Sequence, residues 1–158
     1  MSNRLSWFLL LSLFILLSGC AHVISRDLME KADPSLTFTE VLQNPNAYKD
    51  KTVLWGGEII ETVNQKDGTT LIEVFQRPLG WMEEPKVSLP SEGRFLILAK
   101  KHLDPNIFRA GLEITVAGEI QGENIRPLGE MGYRYPVLSG EQIHLWPDYS
   151  DSAAFESD

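Results

Sequence analysis

The sequence predicts a small, mostly β domain, and two observations carry that prediction. Between residues 52 and 146 the chain is a succession of segments rich in β-branched and aromatic residues, separated by turns that contain glycine or proline. The clearest segment is 112–121, in which Leu112, Ile114 and Val116 alternate with polar or small residues. Such alternation with a period of two is typical of a strand that buries one face.

A short N-terminal helix is expected before the strands. Thr37 followed three residues later by Glu40 fits a capping box, in which each side chain binds the backbone N–H of the other residue. Residues 38–42 place three apolar side chains on one side of such a helix. Pro45 cannot continue a helix, so we expect this one to end within two turns.

Three strands are predicted next, at 53–64, 69–76 and 93–100. Asp67-Gly68 forms the turn between the first two strands, because this pair tolerates a positive φ. In the second strand, Thr70, Ile72 and Val74 share one face. Residues 77–92 contain three prolines and are predicted to form a long loop.

A second short helix is expected between strands three and four, over residues 103–108. Asp104 can cap it and Pro105 suits its first position. The fourth strand is 112–121, residues 122–132 are predicted to be a loop, and 133–146 to supply a last strand or a hairpin. Three strands, a helix and two strands is the element order of an OB-fold. We therefore predict a small OB-fold-like barrel of five strands.

The first twenty residues are typical of a secretory signal. A start that contains Arg4 is followed by an apolar run, 5–17, which is too short for a comfortable membrane span. Leu17-Ser18-Gly19-Cys20 resembles the bacterial lipobox, in which the signal is cut just before a cysteine that becomes acylated. We expect residues 1–19 to be removed and Cys20 to carry the lipid anchor. Because Ala21 follows it, and not the aspartate of inner-membrane retention, we expect the outer membrane, with the domain facing the periplasm.

The mature chain is predicted to have three parts: a lipidated tether at 20–36, a β domain at 37–147 and a disordered acidic tail at 148–158. Cleavage removes one charged residue, Arg4, so the net charge changes from −8 to −9. Such an acidic surface is repelled by nucleic-acid phosphates and anionic lipid head groups. This argues against a nucleic-acid partner and leaves membrane attachment to the lipid.

Several short motifs occur in the order found in a known family. They are Trp55-Gly56-Gly57-Glu58-Ile59, Leu71-Ile72-Glu73-Val74 with Pro78-Leu79, Gly93-Arg94-Phe95-Leu96, Leu103-Asp104-Pro105, Thr115-Val116-Ala117-Gly118 with Gly122, residues 133–136, and Leu145-Trp146. Together with the lipobox they make the chain similar to the starvation-inducible outer-membrane lipoprotein (Slp) family. The resemblance implies an envelope protein linked to starvation and stationary phase, in a family without assigned catalytic residues.

The polar residues do not predict an enzyme, a metal site or a cofactor. The three histidines, His22, His102 and His144, lack the spacing of metal ligands and are interpreted as surface or edge residues. The neighbouring acids Glu83 and Glu84 are interpreted as solvated, since acidic pairs are expected in so acidic a chain.

Five residues are candidates for binding. Leu79, Trp81 and Met82 lie in the predicted long loop and form a possible interface anchor; the alternative is a loop folded back over the open end of the barrel. Arg77 and Arg94 border strands two and three, the face on which OB-folds bind polymers.

We therefore predict a non-enzymatic outer-membrane lipoprotein, related to starvation or stress, that acts through contact with another envelope protein. The alternative is a module that binds an envelope glycan, such as the sugars of peptidoglycan or lipopolysaccharide, on the face of strands two and three.

Overall fold

The computed structural model describes residues 22–150. The predicted signal peptide, Cys20 and residues 151–158 of the predicted tail lie outside the described residues. The elements are α1 (Arg26–Lys31), α2 (Phe38–Gln43), a 3-10 helix (Pro45–Tyr48), β1 (Thr52–Asn64), β2 (Thr70–Arg77), β3 (Arg94–Ala99), β4 (Glu113–Leu128), β5 (Met131–Ser139) and β6 (Gln142–Leu145).

The strands form one mixed sheet in the order β1-β2-β3-β5-β4-β6. Because β1 also pairs with β4, five of them close into a near-ring, and β6 lies outside it on β4. The β3–β5 pair is parallel and the other pairs are antiparallel. The five predicted strands correspond to this near-ring, and the sheet adds a sixth strand, β6, because the chain after β5 pairs with the first half of β4.

The strand β1 is long enough to pair with two neighbours. Residues 52–58 pair with β4 and residues 56–64 pair with β2, so the two ladders overlap at Gly56, Gly57 and Glu58. A side chain on Gly57 would collide with the backbone carbonyl of Phe75. Glycine is therefore required at position 57, where the backbone of β2 leaves no room for a side chain.

The predicted N-terminal helix is confirmed as α2. The Thr37 side chain accepts a hydrogen bond from the Glu40 backbone N–H at 3.3 Å, and the Glu40 carboxylate accepts one from the Thr37 N–H at 2.9 Å. The helix ends at Gln43, two residues before Pro45, where the 3-10 helix begins.

The helix predicted between β3 and β4 is wrong. Residues 103–108 form hydrogen-bonded turns, in which Asp104 accepts a bond from the Asn106 N–H at 2.8 Å. The carbonyl of Phe108 is occupied by the Thr62 hydroxyl at 2.7 Å, and Gly111 adopts a φ of +90°. The segment therefore makes one hydrogen-bonded turn, and the chain then continues through Gly111 into β4.

The loop predicted at 122–132 is also wrong. β4 continues to Leu128 and β5 begins at Met131, so these residues form a hairpin that turns at Gly129, where φ is +64°. The residues from 122 to 132 lack the alternation that marks a half-buried strand, because both faces of this hairpin are largely exposed.

The hydrophobic core lies inside the ring. The predicted inward face of β2, Thr70, Ile72 and Val74, is fully buried. Trp55 packs edge-to-face against Phe38 of α2 and Phe95 of β3, with ring centroids 4.8 and 5.3 Å apart. The helix α2 therefore covers part of the core through Phe38.

The part of the predicted tether that the structure describes lies against the sheet. Ile24 is buried, and α1 follows it. Gln142 of β6 binds the backbone on both sides of Ile24: its amide donates to the Val23 carbonyl at 3.1 Å, and its oxygen accepts from the Ser25 N–H at 2.8 Å. At the other end of the described chain, Asp148 pairs with Arg109.

Candidate functional site

Residues 79–85 form a tight turn, which we call the tryptophan turn. The Gly80 N–H donates to the Glu84 carbonyl at 2.7 Å, and the Glu83 N–H donates to the Gly80 carbonyl at 3.1 Å. These bonds leave Trp81 and Met82 at the corner, with 82% and 46% of their surfaces exposed. An exposed tryptophan at a hydrogen-bonded corner is a strong candidate for a contact with something outside the chain.

The turn is fastened to the outer face of β1 and β4. The Leu79 side chain packs against Gly56, where any side chain would collide with it. The buried Thr115 hydroxyl donates to the Glu83 carbonyl at 2.7 Å and accepts from the Trp146 indole N–H at 2.9 Å. The turn therefore holds its shape on the side of the ring, and Leu79 serves to attach it.

Glu83 is buried, so its interpretation as a solvated acid is wrong. It has a φ of +61°, and its side chain is 5% exposed. One carboxylate oxygen, Oε1, lies 2.7 Å from His22 Nδ1, and Oε2 is buried without a hydrogen-bond partner. The partners are 61 residues apart, and neither has a local pattern that predicts the contact.

The charge of the neighbouring acid, Glu84, is balanced by a lysine. The Lys86 ammonium lies 2.6 Å from its carboxylate, and the Met82 N–H donates to the same group at 3.0 Å. The hydrogen bond from Lys86 holds the pKa of Glu84 below its ordinary value. The base of the turn therefore carries acids that are bound to neighbouring side chains, and its corner carries apolar side chains.

Arg77 is engaged in structural contacts. Its guanidinium donates to the Glu58 carboxylate at 3.2 Å and to the Leu89 carbonyl at 2.8 Å. The same group lies over the Phe75 ring, 4.9 Å from the centroid. These contacts join β1, β2 and the loop after β2.

Arg94 is paired as well. It donates to Glu73 at 2.9 Å, and the Tyr135 hydroxyl donates to the same carboxylate at 2.9 Å. The bond to Glu73 raises the pKa of Arg94, and burial, followed by Glu73, raises the pKa of Tyr135. The Arg94 backbone N–H donates to Tyr133. The five candidate residues thus separate into an exposed pair, Trp81 and Met82, and three residues that hold the fold.

Sequence reasoning missed a second exposed apolar element, the β4–β5 hairpin. Ile125 is 63% exposed and Met131 76% exposed. Arg134 holds the hairpin beside α2, because it donates to the Gln43 carbonyl at 2.8 Å and pairs with Glu123 at 3.2 Å. The signal that can reveal this element is the pair of apolar residues, isoleucine and methionine, on either side of Gly129.

The remaining histidines of the described chain lie apart from this site. His102 lies 3.4 Å from the Gln65 carbonyl, and His144 packs edge-to-face on Trp146. Within residues 22–150, no group of three or more histidines, cysteines or acids is arranged to hold a metal ion. In the same range, no helix has the length and apolar character needed to cross a membrane.

Comparison with known proteins identifies the family of this chain. Residues 17–157 match the family model described as the Outer membrane lipoprotein Slp family. The chain belongs to this family. The matched residues include both the lipobox and the tryptophan turn. As an Slp-family protein it is an outer-membrane lipoprotein, and it carries the lipid anchor that such membership implies.

Two relatives of this Slp-family chain come from Escherichia coli K12. Outer membrane protein Slp is 29% identical over 146 residues, which cover 91% of this chain and 76% of the relative. Uncharacterized lipoprotein YeaY is 29% identical over 132 residues, covering 84% and 67%. Among solved structures, a small single-stranded DNA-binding protein from Streptomyces coelicolor aligns with a TM-score of 0.41 and 11% identity, covering 65% of this chain and 97% of that one.

Proposed function

We propose that this chain is a non-enzymatic outer-membrane lipoprotein, attached through Cys20 and facing the periplasm, that acts through contact with another envelope protein. The fold that presents the contact is OB-fold-like. Its support is the ring order β1-β2-β3-β5-β4 closed by the β1–β4 pair, which is the arrangement of a five-stranded Greek-key barrel.

A role in binding rather than catalysis is supported by what the polar side chains already do. Arg77 is paired with Glu58 and Arg94 with Glu73, and Glu83 is paired with His22. The face of β2 and β3 gives less support to glycan binding, because its Phe75 ring lies beneath the Arg77 guanidinium. Glycans are held by open aromatic platforms, and this ring is not open.

The observation that carries the protein-contact proposal is the exposure of Ile125 and Met131 on a hydrogen-bonded hairpin. Large apolar side chains on an ordered, protruding element are typical of protein interfaces. The tryptophan turn is another exposed apolar element, but it is bound to His22, near Cys20. We therefore assign the hairpin to the protein partner.

The proposal is tested by in-cell photo-crosslinking of the full, lipidated chain. A photoreactive residue replaces Met131, and a matched chain carries it at Lys66 in the β1–β2 turn, which is also exposed to solvent. We expect a discrete protein adduct from position 131 alone. Glycan adducts at 131, or identical adducts from both positions, would contradict the protein-contact assignment.

The attachment and the stress role have separate tests. Cys20→Ser is expected to release the chain from the membrane fraction, since a single protein domain of this acidity has no electrostatic hold on the bilayer. The role in starvation or stress rests on the family resemblance. It predicts that the chain becomes more abundant on entry into stationary phase, and an unchanged abundance would contradict it.

A further inference from the structure

We propose that the tryptophan turn is a membrane contact, in which Trp81 and Met82 enter the head-group region of the membrane that carries the lipid anchor. The inference rests on the attachment at Cys20 proposed above. It assigns a partner, the lipid surface, to the element that presents the most exposed tryptophan of the described chain.

The first argument is the short distance between the anchor and the turn. His22 binds Glu83 at 2.7 Å, and Glu83 follows Trp81 by two residues. Only Ala21 separates Cys20 from His22, so the two α-carbons are at most about 7 Å apart. An acylated Cys20 therefore holds the tryptophan turn within reach of the bilayer surface, whose head-group layer is several ångströms thick.

The second argument is that the chain directly after His22 is not a flexible linker. Ile24 is buried, and Gln142 binds the backbone at Val23 and Ser25. A free linker would let the domain turn any face to the membrane. Because this segment lies along the sheet, the anchor leaves the domain beside His22, and the face around His22 is directed at the bilayer.

The third argument is the chemistry of the corner. Tryptophan is enriched at membrane interfaces, where its ring meets acyl chains and its N–H meets water. The two acids nearest the corner, Glu83 and Glu84, are paired with His22 and Lys86. The Lys86 ammonium offsets the charge of Glu84, and Glu83 is buried, so the corner imposes less repulsion on contact with anionic lipids than the net acidity of the chain suggests.

The turn is also built to keep this orientation. The bonds from Thr115 to the Glu83 carbonyl and from Gly80 to Glu84 hold the corner before any contact forms. A preformed corner loses little conformational freedom on insertion. The exposed side chains therefore meet the membrane without reorganising the domain.

The test uses the full, lipidated chain in vesicles of phosphatidylethanolamine and phosphatidylglycerol, with and without bromine on the acyl chains. Bromine quenches tryptophan fluorescence at short range. The mature chain has three tryptophans, of which Trp55 is buried in the core, so Trp81→Phe isolates the contribution of position 81. Flotation and mass spectrometry establish that each chain is vesicle-bound and acylated.

The matched control moves the tryptophan to the other end of the β1–β2 ladder. Gly56 pairs with Arg77 at the end where Leu79 attaches the turn, and Asn64 pairs with Thr70 at the far end. The double variant Trp81→Phe/Lys66→Trp therefore places its tryptophan in the β1–β2 turn, roughly 25 Å from Gly56 along the strand.

We expect bromine to quench the wild-type chain, Trp81→Phe to lose most of that quenching, and the double variant not to recover it. Quenching that is equal in wild type and Trp81→Phe overturns the proposal, as does equal quenching from position 66. An acylated chain whose Trp81 stays open to aqueous iodide overturns this inference alone. A chain without acyl groups overturns the Cys20 attachment and this inference together.

Discussion

His22 Nδ1 lies 2.7 Å from Glu83 Oε1, and this pair joins the beginning of the described chain to the tryptophan turn. The two side chains differ in exposure: the His22 imidazole is half exposed, and the Glu83 carboxylate is buried. The second oxygen of Glu83 has no hydrogen-bond partner. The pair is therefore a direct contact between the N-terminal segment and the turn, beside the contacts that Ile24 and Gln142 make with the sheet.

A double-mutant cycle tests this coupling. His22→Gln and Glu83→Gln each weaken the pair, and we expect a coupling free energy of about 1 kcal/mol, the order found for residues in direct contact. The measurement is chemical denaturation of the mature chain made with Cys20→Ser. Additive effects of the two substitutions would mean that the His22–Glu83 hydrogen bond is not a coupled contact.

The second prediction concerns Arg94. Arg94→Ala leaves the largely buried Glu73 carboxylate with only the Tyr135 hydroxyl, so we expect a loss of about 2 kcal/mol in unfolding free energy. Arg94→Lys retains the charge and is expected to lose less. A loss from Arg94→Ala below that from Arg94→Lys would contradict a structural role for the guanidinium.

The third prediction concerns Gly57 of β1, which lies against the backbone of β2. Gly57→Ala places a methyl group against the Phe75 carbonyl and is expected to lower the unfolding free energy by about 4 kcal/mol or more. Gly132→Ala is the matched control, because its methyl group would meet only Ile125 at an ordinary distance, 3.6 Å. Thermal melts that place the two variants together would contradict the β1–β2 register.

The fourth prediction concerns pH. Glu113 faces Glu58 across the β1–β4 ladder, and burial, followed by that like charge, raises the pKa of Glu113 above its ordinary 4.5. The folded state therefore holds this proton more tightly than the unfolded state. The favourable contribution of this protonation to the unfolding free energy is present below pH 4.5. It is lost as the pH rises through the raised pKa of Glu113.

Glu113→Gln removes that titration. At neutral pH we expect it to raise the unfolding free energy by about 0.5 kcal/mol, the order of a cross-strand like-charge pair. The difference in melting temperature between variant and wild type should grow as pH rises from acid to neutral. A difference that stays constant over this range would contradict the assignment.

Local patterns were sufficient to predict much of the secondary structure. The capping box of Thr37 and Glu40 and the alternation in β2 were confirmed, because each depends on residues close together in the sequence. The helix expected at 103–108 did not form because the chain leaves the turn after one hydrogen-bonded cycle and passes through Gly111, where φ is +90°, into β4. The hairpin at 122–132 was missed because exposed strands carry no alternating pattern.

The candidate site was predicted only in part. The sequence identified Trp81 and Met82 as possible contacts, since large apolar residues beside prolines in a loop are unusual on a surface. It did not predict that Arg77 and Arg94 are paired, or that Glu83 is buried. Those outcomes depend on which side chains the ring brings together.

The sequence by itself predicted the lipid attachment at Cys20 and determined the acidic charge and the succession of apolar segments, because each depends on neighbouring residues or on composition. Only the tertiary structure decided that β4 pairs with three strands and that His22 meets Glu83. These contacts join residues far apart in the chain. Their geometry follows from the closure of the sheet, which no local pattern specifies.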